Sequence, residues 1–542
     1  MHGHIDRHRD GDKEFDLEKA RRGTEQEHSL SFTQGLRTYR KAVGWSMLFS
    51  LAIIMEGYDT TLLQSFFAFP EFVQSYGSPV YRTDEGRQVV DRYELSAAWQ
   101  SGLSNGAYVG EIFGLFITGL VAERIGYRRL MGAATLALAA FVSVLFFAPD
   151  LPTLLVGEIL CGVPWGVFQT VTTTYAAEVC PVALRGYLTT YVNLCWVVGQ
   201  FIATGVLRGL LHREDQWSYR IPFALQWAWL PFILATVWFG PESPWWLVRR
   251  GRTDEARQVL ARLHRTASST PAAEKEAEVA LDNTLALMLY TCEMENSLAT
   301  TRQPSSSSSS SFLSCFRNPT DLRRTEITCI AWAIQALCGS SFMGYSTYFY
   351  QQAGLDVSQS FNMSLGQYGF GVIGTILSWA MMARFGRRAL YVSGLCALTL
   401  ILFSVGFTSL SDSAAASWAI GSLLLVFTFT YDCTIGPVCY SIVSEMPSTQ
   451  LRAWTIVLAR NVYNMAMIVN GVIVPRMLNP TAWDWKGRTG FFWAGITVGL
   501  TAWAYFRLPE SKGRTFAEMD ILFERGVSAR RFKGMEVSID AN

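Results

Sequence analysis

Three carboxylates and one arginine stand inside long apolar runs of the sequence. Glu56 and Asp59 are three residues apart in the first run, a spacing that puts both on one face of a helix. Glu111 lies in the middle of the second run, and Arg460 lies in the eleventh. A charge that faces lipid at the bilayer centre costs about 2.5 to 3.5 kcal/mol. These four side chains therefore need to face protein or water.

Buried carboxylates of this kind can carry protons. Such a group can load a proton from one side of a membrane and release it on the other, and a nearby arginine lowers its proton affinity. No histidine lies in any apolar run, so carboxylates are the candidate carriers. The alternative is a static ion pair that fixes helix packing.

The elements that position these groups are predicted membrane helices. Half of the 542 residues are hydrophobic and only 16% are charged, which excludes an ordinary soluble protein. The net charge of +1 gives no indication of nucleic-acid binding. Twelve runs are long enough to cross about 30 Å of hydrocarbon. The predicted spans are 43–69, 95–121, 130–149, 152–176, 187–208, 221–240, 327–350, 363–383, 389–410, 415–443, 453–475 and 489–507.

Arginines concentrate in the short loops that follow even-numbered spans, for example Arg124 and Arg452. By the positive-inside tendency these loops and both termini are cytoplasmic. The sequon Asn362-Met363-Ser364 then faces outward as a candidate glycosylation site, although it lies close to the eighth span. The predicted divisions are an N-terminal tail, a six-helix bundle, a cytoplasmic linker, a second bundle and a C-terminal tail, at 1–42, 43–240, 241–326, 327–507 and 508–542.

Short motifs recur in the same order in the two halves. The segment 123–129 (ERIGYRR) matches 383–388 (ARFGRR), and 178–185 (EVCPVALR) matches 445–452 (EMPSTQLR). The match of PESP after the sixth span to PESK after the twelfth completes the set. A duplicated six-helix unit follows. In the linker, the run Ser305–Ser311 is most simply flexible, with phosphorylation as the alternative.

The repeated motifs pair acids with arginines at cytoplasmic helix ends. Such pairs can bridge two bundles while a protein is open outward, and they must break as it opens inward. The alternative is that the arginines only satisfy topology. The candidate switch residues are Glu123, Arg124, Arg128, Glu178, Arg185, Glu242, Arg384, Arg387, Glu445, Arg452 and Glu510.

Together the motifs ERIGYRR, AEVCPVALRG, PESPWWLVRRGR, ARFGRR, SEMPSTQLRA and PESKGRT resemble the sugar-porter branch of the major facilitator superfamily. EGYDTTLL, GEILCGVPWG and the stretch from YDCTIGPVCY to LARNVYN narrow the resemblance to fungal α-glucoside:proton symporters. It implies an all-α membrane protein with the major facilitator fold, built from twelve transmembrane helices in two six-helix bundles with an intracellular helical linker. It also implies a monomer in the plasma membrane, without cofactor or metal, that couples sugar to protons through Asp59, Glu56, Glu111 and Arg460.

Sugar sites need amides and hydroxyls for hydrogen bonds and aromatic rings for stacking. The resemblance places such groups in spans five, seven, ten and eleven, although a tyrosine in a helix bundle is often packing only. Losses from the family's span-seven motif, at Ala336 and Ser341, would enlarge the cleft and suit a disaccharide. The implied sugar-binding residues are Asn193, Gln200, Gln335, Ser341, Tyr345, Tyr440, Tyr463 and Asn464.

The chain also departs from the family pattern at acidic positions. Glu158 stands where many proton-coupled sugar porters have the arginine that faces the span-one aspartate, so either Arg460 is the counter-charge of Asp59 or coupling is distributed over several acids. Asp432, in span ten, is a membrane acid that the pattern does not explain. The expected function is uptake of an α-glucoside with a proton by alternating access. Alternatives are a hexose, lactose or polyol carrier, a uniporter, or a non-transporting sugar receptor; no enzyme motif is present.

Overall fold

We describe the protein from a computed structural model, for residues 5–84, 87–264, 271–302, 312–352, 355–411, 413–478, 483, 485–535 and 537. The predicted flexible run Ser305–Ser311 lies outside these residues. The N-terminal half and its tail comprise α1 (Ile5–Ser29), α2 (Phe32–Thr38), α3 (Arg40–Ser50), α4 (Ala52–Phe66), α5 (Pro70–Tyr76), β1 (Ser78–Asp84), β2 (Arg87–Glu94), α6 (Ala97–Ile125), α7 (Tyr127–Phe146), α8 (Leu151–Val179), α9 (Val182–Leu210), α10 (Trp217–Leu225) and α11 (Leu230–Phe239).

The linker and the C-terminal half follow. The linker comprises α12 (Pro244–Arg249), α13 (Thr253–Leu263), α14 (Pro271–Arg302) and α15 (Ser314–Arg317). The second half and the tail comprise α16 (Pro319–Leu337), α17 (Ser340–Gly344), α18 (Ser346–Gln352), α19 (Val357–Arg384), α20 (Arg387–Thr408), α21 (Ala414–Cys433), α22 (Ile435–Glu445), α23 (Arg452–Leu478), α24 (Thr489–Arg507) and α25 (Phe516–Glu524). Short 3-10 turns lie at Gln226–Ala228, Lys486–Arg488 and Ala529–Gly534.

In the described part of the chain, the helices fall into twelve groups at the predicted span positions, and several of these groups are interrupted. Within the described ranges, eight segments are long and apolar enough to cross a membrane by length and composition alone. The first span divides at Leu51 into α3 and α4, and the seventh divides into α16, α17 and α18. Gly339 forms the turn between α16 and α17 with φ of 93°. A residue with a Cβ would adopt this backbone conformation only under strain.

Helix pairing repeats between the halves. In the first half α4 packs on α9, α6 on α8 and α7 on α11; in the second half α16 packs on α23, α19 on α21 and α20 on α24. These are the same pairs of spans in each unit. The halves meet where α6 packs on α23 and α9 packs on α19. The pairing is that of a duplicated six-helix unit.

Glycines bring α6 and α8 into close contact. A Cβ at Gly110 would lie 2.0 Å from the carbonyl oxygen of Ile159, and one at Gly162 would lie 2.2 Å from that of Ala107. Small residues at such crossings let membrane helices approach closely. The close crossing buries Glu111, the next residue after Gly110, between helices.

Two features differ from the sequence analysis. The segment between spans one and two forms an antiparallel hairpin in which Ser78 pairs with Glu94 and Asp84 with Arg87, where no strand was predicted. Helices α3 and α16 begin at Arg40 and Pro319, ahead of the apolar runs, because each starts with a polar first turn. The tail before the first span also carries helices, and α1 packs on linker helix α14.

Candidate functional site

A buried ion cluster joins the two halves. Arg460 Nη2 on α23 lies 3.1 Å from Glu56 Oε1 on α4 and 3.4 Å from Glu111 Oε2 on α6. All three side chains are buried. Both acids belong to the first half and the arginine to the second, so the cluster bridges the interface where α6 packs on α23.

Neutral groups complete the surroundings of this cluster. Gln169 Nε2 on α8 donates to Glu56 Oε2 at 2.8 Å. The Arg460 guanidinium lies 4.2 Å from the ring centroid of Tyr463 and about 5.5 Å from that of Trp196, within cation–π distance. The sequence analysis missed Gln169, although an amide inside a predicted span needs a hydrogen-bond partner and could have indicated it.

Asp59 does not pair with Arg460, contrary to one of the two expectations. Its carboxylate accepts a hydrogen bond from the side-chain amide of Gln226, in the 3-10 turn between α10 and α11. The carboxyl group of Glu158 on α8 is a second neighbour of Asp59. Residues three positions apart on a helix point about 60° away from each other. Glu56 therefore meets the arginine, while Asp59 turns toward α8 and α10.

A central cavity lies between the halves. Seven of the eight predicted sugar-binding residues line it, namely Asn193, Gln200, Gln335, Ser341, Tyr345, Tyr440 and Tyr463. Amides and hydroxyls on both sides supply hydrogen-bonding groups, and Trp196, Tyr108, Tyr368 and Tyr431 add aromatic rings that the sequence analysis did not single out. Such a lining suits a polar ligand with apolar faces.

Several hydrogen bonds hold the cavity wall. Tyr345 donates from its hydroxyl to Ser104 Oγ across the interface at 3.2 Å. Gln335 Nε2 donates to the carbonyl oxygen of Gly436 at 2.8 Å, in the helix that restarts after the break at Thr434. Asn470 Nδ2 donates to Ser341 Oγ at 2.7 Å.

Asn464 is placed differently from the expectation. Its side chain is fully buried and is not part of the cavity lining. Tyr463, the preceding residue, does line the cavity, and successive helical positions point about 100° apart. The two residues therefore cannot both face a ligand on one side of α23.

The cytoplasmic ends carry a second charged cluster. Glu178, at the end of α8, lies 3.2 Å from Arg452 at the start of α23 and 3.0 Å from Arg249 of linker helix α12. Arg249 also lies 3.6 Å from Glu123. The Glu178–Arg452 pair crosses between the halves. Arg185 instead places its guanidinium 3.6 Å from the ring centroid of Phe516 in α25, which Arg452 also contacts at 3.8 Å.

Other predicted switch residues act within one half. Glu242 accepts from the backbone N–H groups of Tyr127 and Arg128 at the start of α7, both at 3.2 Å. Glu510 does the same at the start of α20, with Arg387 at 2.8 Å. Carboxylates at helix N-termini satisfy free N–H groups and the helix dipole. These two acids are therefore placed as helix caps, one in each repeat.

In the described ranges, the remaining predicted switch residues form no ion pair across the interface. Arg387 lies 3.1 Å from Glu445, a pair inside the second half. Arg128 Nε donates to the carbonyl oxygen of Val237 at 2.6 Å. Within the described part of the chain, Arg124 and Arg384 form no ion pair within 4.0 Å.

Outside the spans, the two tails meet. His28, at the end of α1, lies 3.2 Å from Glu518 of α25. The hydrogen bond to the Glu518 carboxylate raises the pKa of His28 above its usual value.

The candidate glycosylation site lies in α19. Asn362 accepts a hydrogen bond from Arg208 Nε at 2.7 Å, and Ser364 of the same sequon is buried. Glycosylation of Asn362 stays a prediction.

No group of three or more His, Cys, Asp or Glu side chains that could hold a metal ion is found among the described residues. The arrangement offers instead buried carboxylates, an arginine and a polar cavity. Such a site can bind an uncharged polar ligand and exchange protons beside it.

Comparison with known proteins gives a consistent result. The family described as sugar (and other) transporter matches residues 45–523. An alpha-glucosides permease of Saccharomyces cerevisiae is 43% identical over 523 residues, which are 96% of this chain and 83% of the relative. A maltose permease of the same organism is 40% identical over the same length, covering 82% of the relative. These relatives are permeases rather than enzymes.

Solved structures show the same fold. The proton:xylose symporter XylE bound to 6-bromo-6-deoxy-D-glucose superimposes with a TM-score of 0.71 at 18% identity, covering 90% of this chain and 100% of that one. The inward-open xylose transporter XylE from E. coli gives 0.60 at 18% identity, covering 89% and 99%. The comparison supports the twelve-helix architecture.

Proposed function

Because the chain belongs to the sugar transporter family of membrane proteins, we propose that it takes up an α-glucoside of the maltose type together with a proton. The two halves alternate access to the central cavity. The observation that carries this proposal is the position of the polar cavity directly beside a buried charge cluster that joins the halves. Relatives named as alpha-glucosides and maltose permeases support the substrate class.

The sugar occupies the central cavity. Asn193 and Gln200 approach it from the first half, and Gln335 and Tyr345 from the second. A sugar held by both halves favours their closure around it, which is how binding drives reorientation. The aromatic side chains supply the stacking surface for the C–H faces of the rings.

Proton coupling uses the four charged residues of the first, second and eleventh spans. Asp59 carries the proton, since no cation of the described residues pairs with it, and Glu56 and Glu111 share Arg460. One proton that enters with about one pH unit and 100 mV supplies about 1.4 plus 2.3 kcal/mol. That is enough for accumulation of several hundredfold.

Closure on the cytoplasmic side uses the pair of Glu178 and Arg452. This contact crosses between the halves and must break before the cavity opens inward. We further propose a monomer in the plasma membrane with both termini in the cytoplasm, divided at 42/43, 240/241, 326/327 and 507/508. The arginines in the short loops that follow even-numbered spans support this orientation.

The alternative is a carrier of hexoses or lactose on the same fold. The test is external alkalinisation by transporter-null yeast cells that express the chain, on addition of maltose, glucose or lactose. We expect alkalinisation with maltose alone. Maltose uptake without alkalinisation would indicate a uniporter, and a signal only with glucose or lactose would refute the α-glucoside assignment.

A further inference from the structure

We propose that Asp432 binds hydroxyl groups of the transported sugar directly, and that the sugar inserts into the contact of Asp432 with Asn193. The inference rests on the proposed function and names a specificity-determining residue within it. Neither the charge-coupling residues nor the repeated motifs account for this acid, which lies at the end of α21 in the second half.

The position of Asp432 separates it from the other membrane acids. Among the described residues, the charged side chains that line the central cavity are Asp432 and Arg460. Glu56, Glu111 and Asp59 are buried between helices behind the cavity wall. A sugar in the cavity therefore meets one carboxylate, and that carboxylate is Asp432.

The hydrogen-bonding capacity of Asp432 is largely unused. Its side chain is 4% exposed, and its donor within the described ranges is Asn193 Nδ2 at 3.5 Å, which is at the outer limit for a hydrogen bond. No lysine, arginine or histidine nitrogen of the described chain lies within 4.0 Å of it. It also lies in the last turn of α21, where the helix dipole disfavours a negative charge. A buried carboxylate in this position needs additional donors.

Sugar hydroxyls are suitable donors. Two neighbouring hydroxyls present two O–H groups, and a carboxylate presents two acceptor oxygens. A carboxyl group that carries a proton keeps an acceptor oxygen and gains an O–H donor, so Asp432 can bind two hydroxyls in either protonation state. Asp432 can therefore recognise a pair of adjacent hydroxyls on one ring.

Two glycines make room for the Asp432 carboxylate itself, which packs against their backbone. A Cβ at Gly371 on α19 would lie 2.7 Å from Asp432 Oδ2, and one at Gly436 would lie 3.3 Å from Oδ1. Gly436 follows the interruption between α21 and α22. Interrupted helices are typical of substrate sites in transporters.

The contact with Asn193 gives the interaction a mechanical consequence. Asn193 belongs to α9 in the first half, whereas Asp432 belongs to the second. A hydroxyl between them accepts from the amide and donates to the carboxylate at the same time. Its insertion requires the two atoms to separate from 3.5 Å, and the sugar then links the two halves in place of their direct contact.

The test compares Asp432→Asn with wild type in transporter-null yeast cells. The asparagine keeps the size of the side chain and replaces one carboxyl oxygen by an NH2 group, which cannot accept a hydrogen bond. We expect a rise of about tenfold in the KM for maltose, on the order of one lost hydrogen bond, with proton influx per sugar unchanged. Asp432→Ser provides a second variant with the same expected direction, and Asp254→Asn, on an exposed position of linker helix α13, is the matched control with unchanged KM.

Binding is measured separately by the sugar-induced thermal shift of the purified proteins, which requires neither a gradient nor turnover. Maltose analogues that each lack one hydroxyl complete the design. One analogue should bind wild type more weakly than maltose does, but it should bind Asp432→Asn as tightly as maltose binds that variant. Unchanged maltose affinity in both variants, or lost proton influx with unchanged affinity, would overturn the inference. Failure of wild type to bind maltose would overturn the proposed function, and this inference with it.

Discussion

Glu56 and Asp59 lie one helical turn apart in α4, yet their carboxylates have opposite electrostatic surroundings. Glu56 lies 3.1 Å from Arg460, whereas Asp59 meets the amide of Gln226 and the carboxyl group of Glu158. In the described part of the chain no cation lies within 4.0 Å of Asp59. A buried carboxylate without a cation is most stable when it carries a proton, whereas an ion pair holds its carboxylate charged. The difference favours Asp59 as the proton carrier and Glu56 as a bridge between the halves.

Removal of the shared cation gives the largest expected effect. Arg460→Met leaves Glu56 and Glu111 buried without a cation, which costs about 3 to 5 kcal/mol of folding stability. We expect a strongly lowered melting temperature of the purified protein and no sugar uptake. If Glu56→Gln and Glu111→Gln are added to this variant, stability should return because no unpaired charge remains, while uptake stays absent. A stable single variant would show that the ion cluster is not needed for folding.

Removal of the proton carrier should leave the fold intact. Asp59→Asn keeps a hydrogen-bonding partner for Gln226 and loses the titratable group. Sugar accumulation should fall from several hundredfold to about equality across the membrane, because the driving force of about 3.7 kcal/mol per proton is lost. Exchange of labelled for unlabelled sugar should continue. If accumulation persisted in Asp59→Asn and disappeared in Glu56→Gln, the proton carrier would be Glu56 and not Asp59.

The cytoplasmic pair allows a matched test of bridging. Glu178→Gln weakens a contact between the halves, whereas Glu445→Gln weakens the pair with Arg387 inside the second half. We expect the first variant to shift the population toward the inward-open state by about tenfold, a coupling of about 1.4 kcal/mol. Labelling of a cysteine introduced into the cavity wall from the cytoplasmic side measures the shift. Equal labelling of both variants would contradict the distinction between a pair that bridges the halves and a pair inside one half.

The contact between the tails should have the smallest effect. Glu518 raises the pKa of His28, so the protonated histidine holds the two tails together at low pH. This stabilisation is lost as the pH rises through the raised pKa. Proteolysis of the N-terminal tail should become faster with rising pH, by at most about fivefold because the pair is partly exposed. His28→Gln should remove the pH dependence, and its persistence would assign the effect to another group.

Much of the fold could be read from the sequence. The apolar runs predicted the spans, and the recurrent motifs predicted the repeat that the pairing of α4 with α9 and α16 with α23 displays. The hairpin of β1 and β2 was not predicted, because its register depends on backbone pairing in a loop without a strong apolar pattern. The interruptions at Leu51 and Thr434 were also missed, because each lies inside an otherwise continuous apolar run.

The candidate site also has a part that could be predicted from the sequence and a part that only the structure shows. The sugar-binding residues were predicted from the resemblance to sugar porters, and the amides among them also because polar groups in a membrane need partners. Which of them face the cavity depends on the rotation of each helix, so that Tyr463 lines it and Asn464 does not.

The sequence by itself determined the family and the presence of charged residues inside apolar runs, since hydrophobic length and motif order are properties of the chain. Only the tertiary structure decided that Arg460 meets Glu56 and Glu111 rather than Asp59. Electrostatic partnership depends on distances of a few ångströms between helices that are far apart in sequence, and burial makes each such distance decisive.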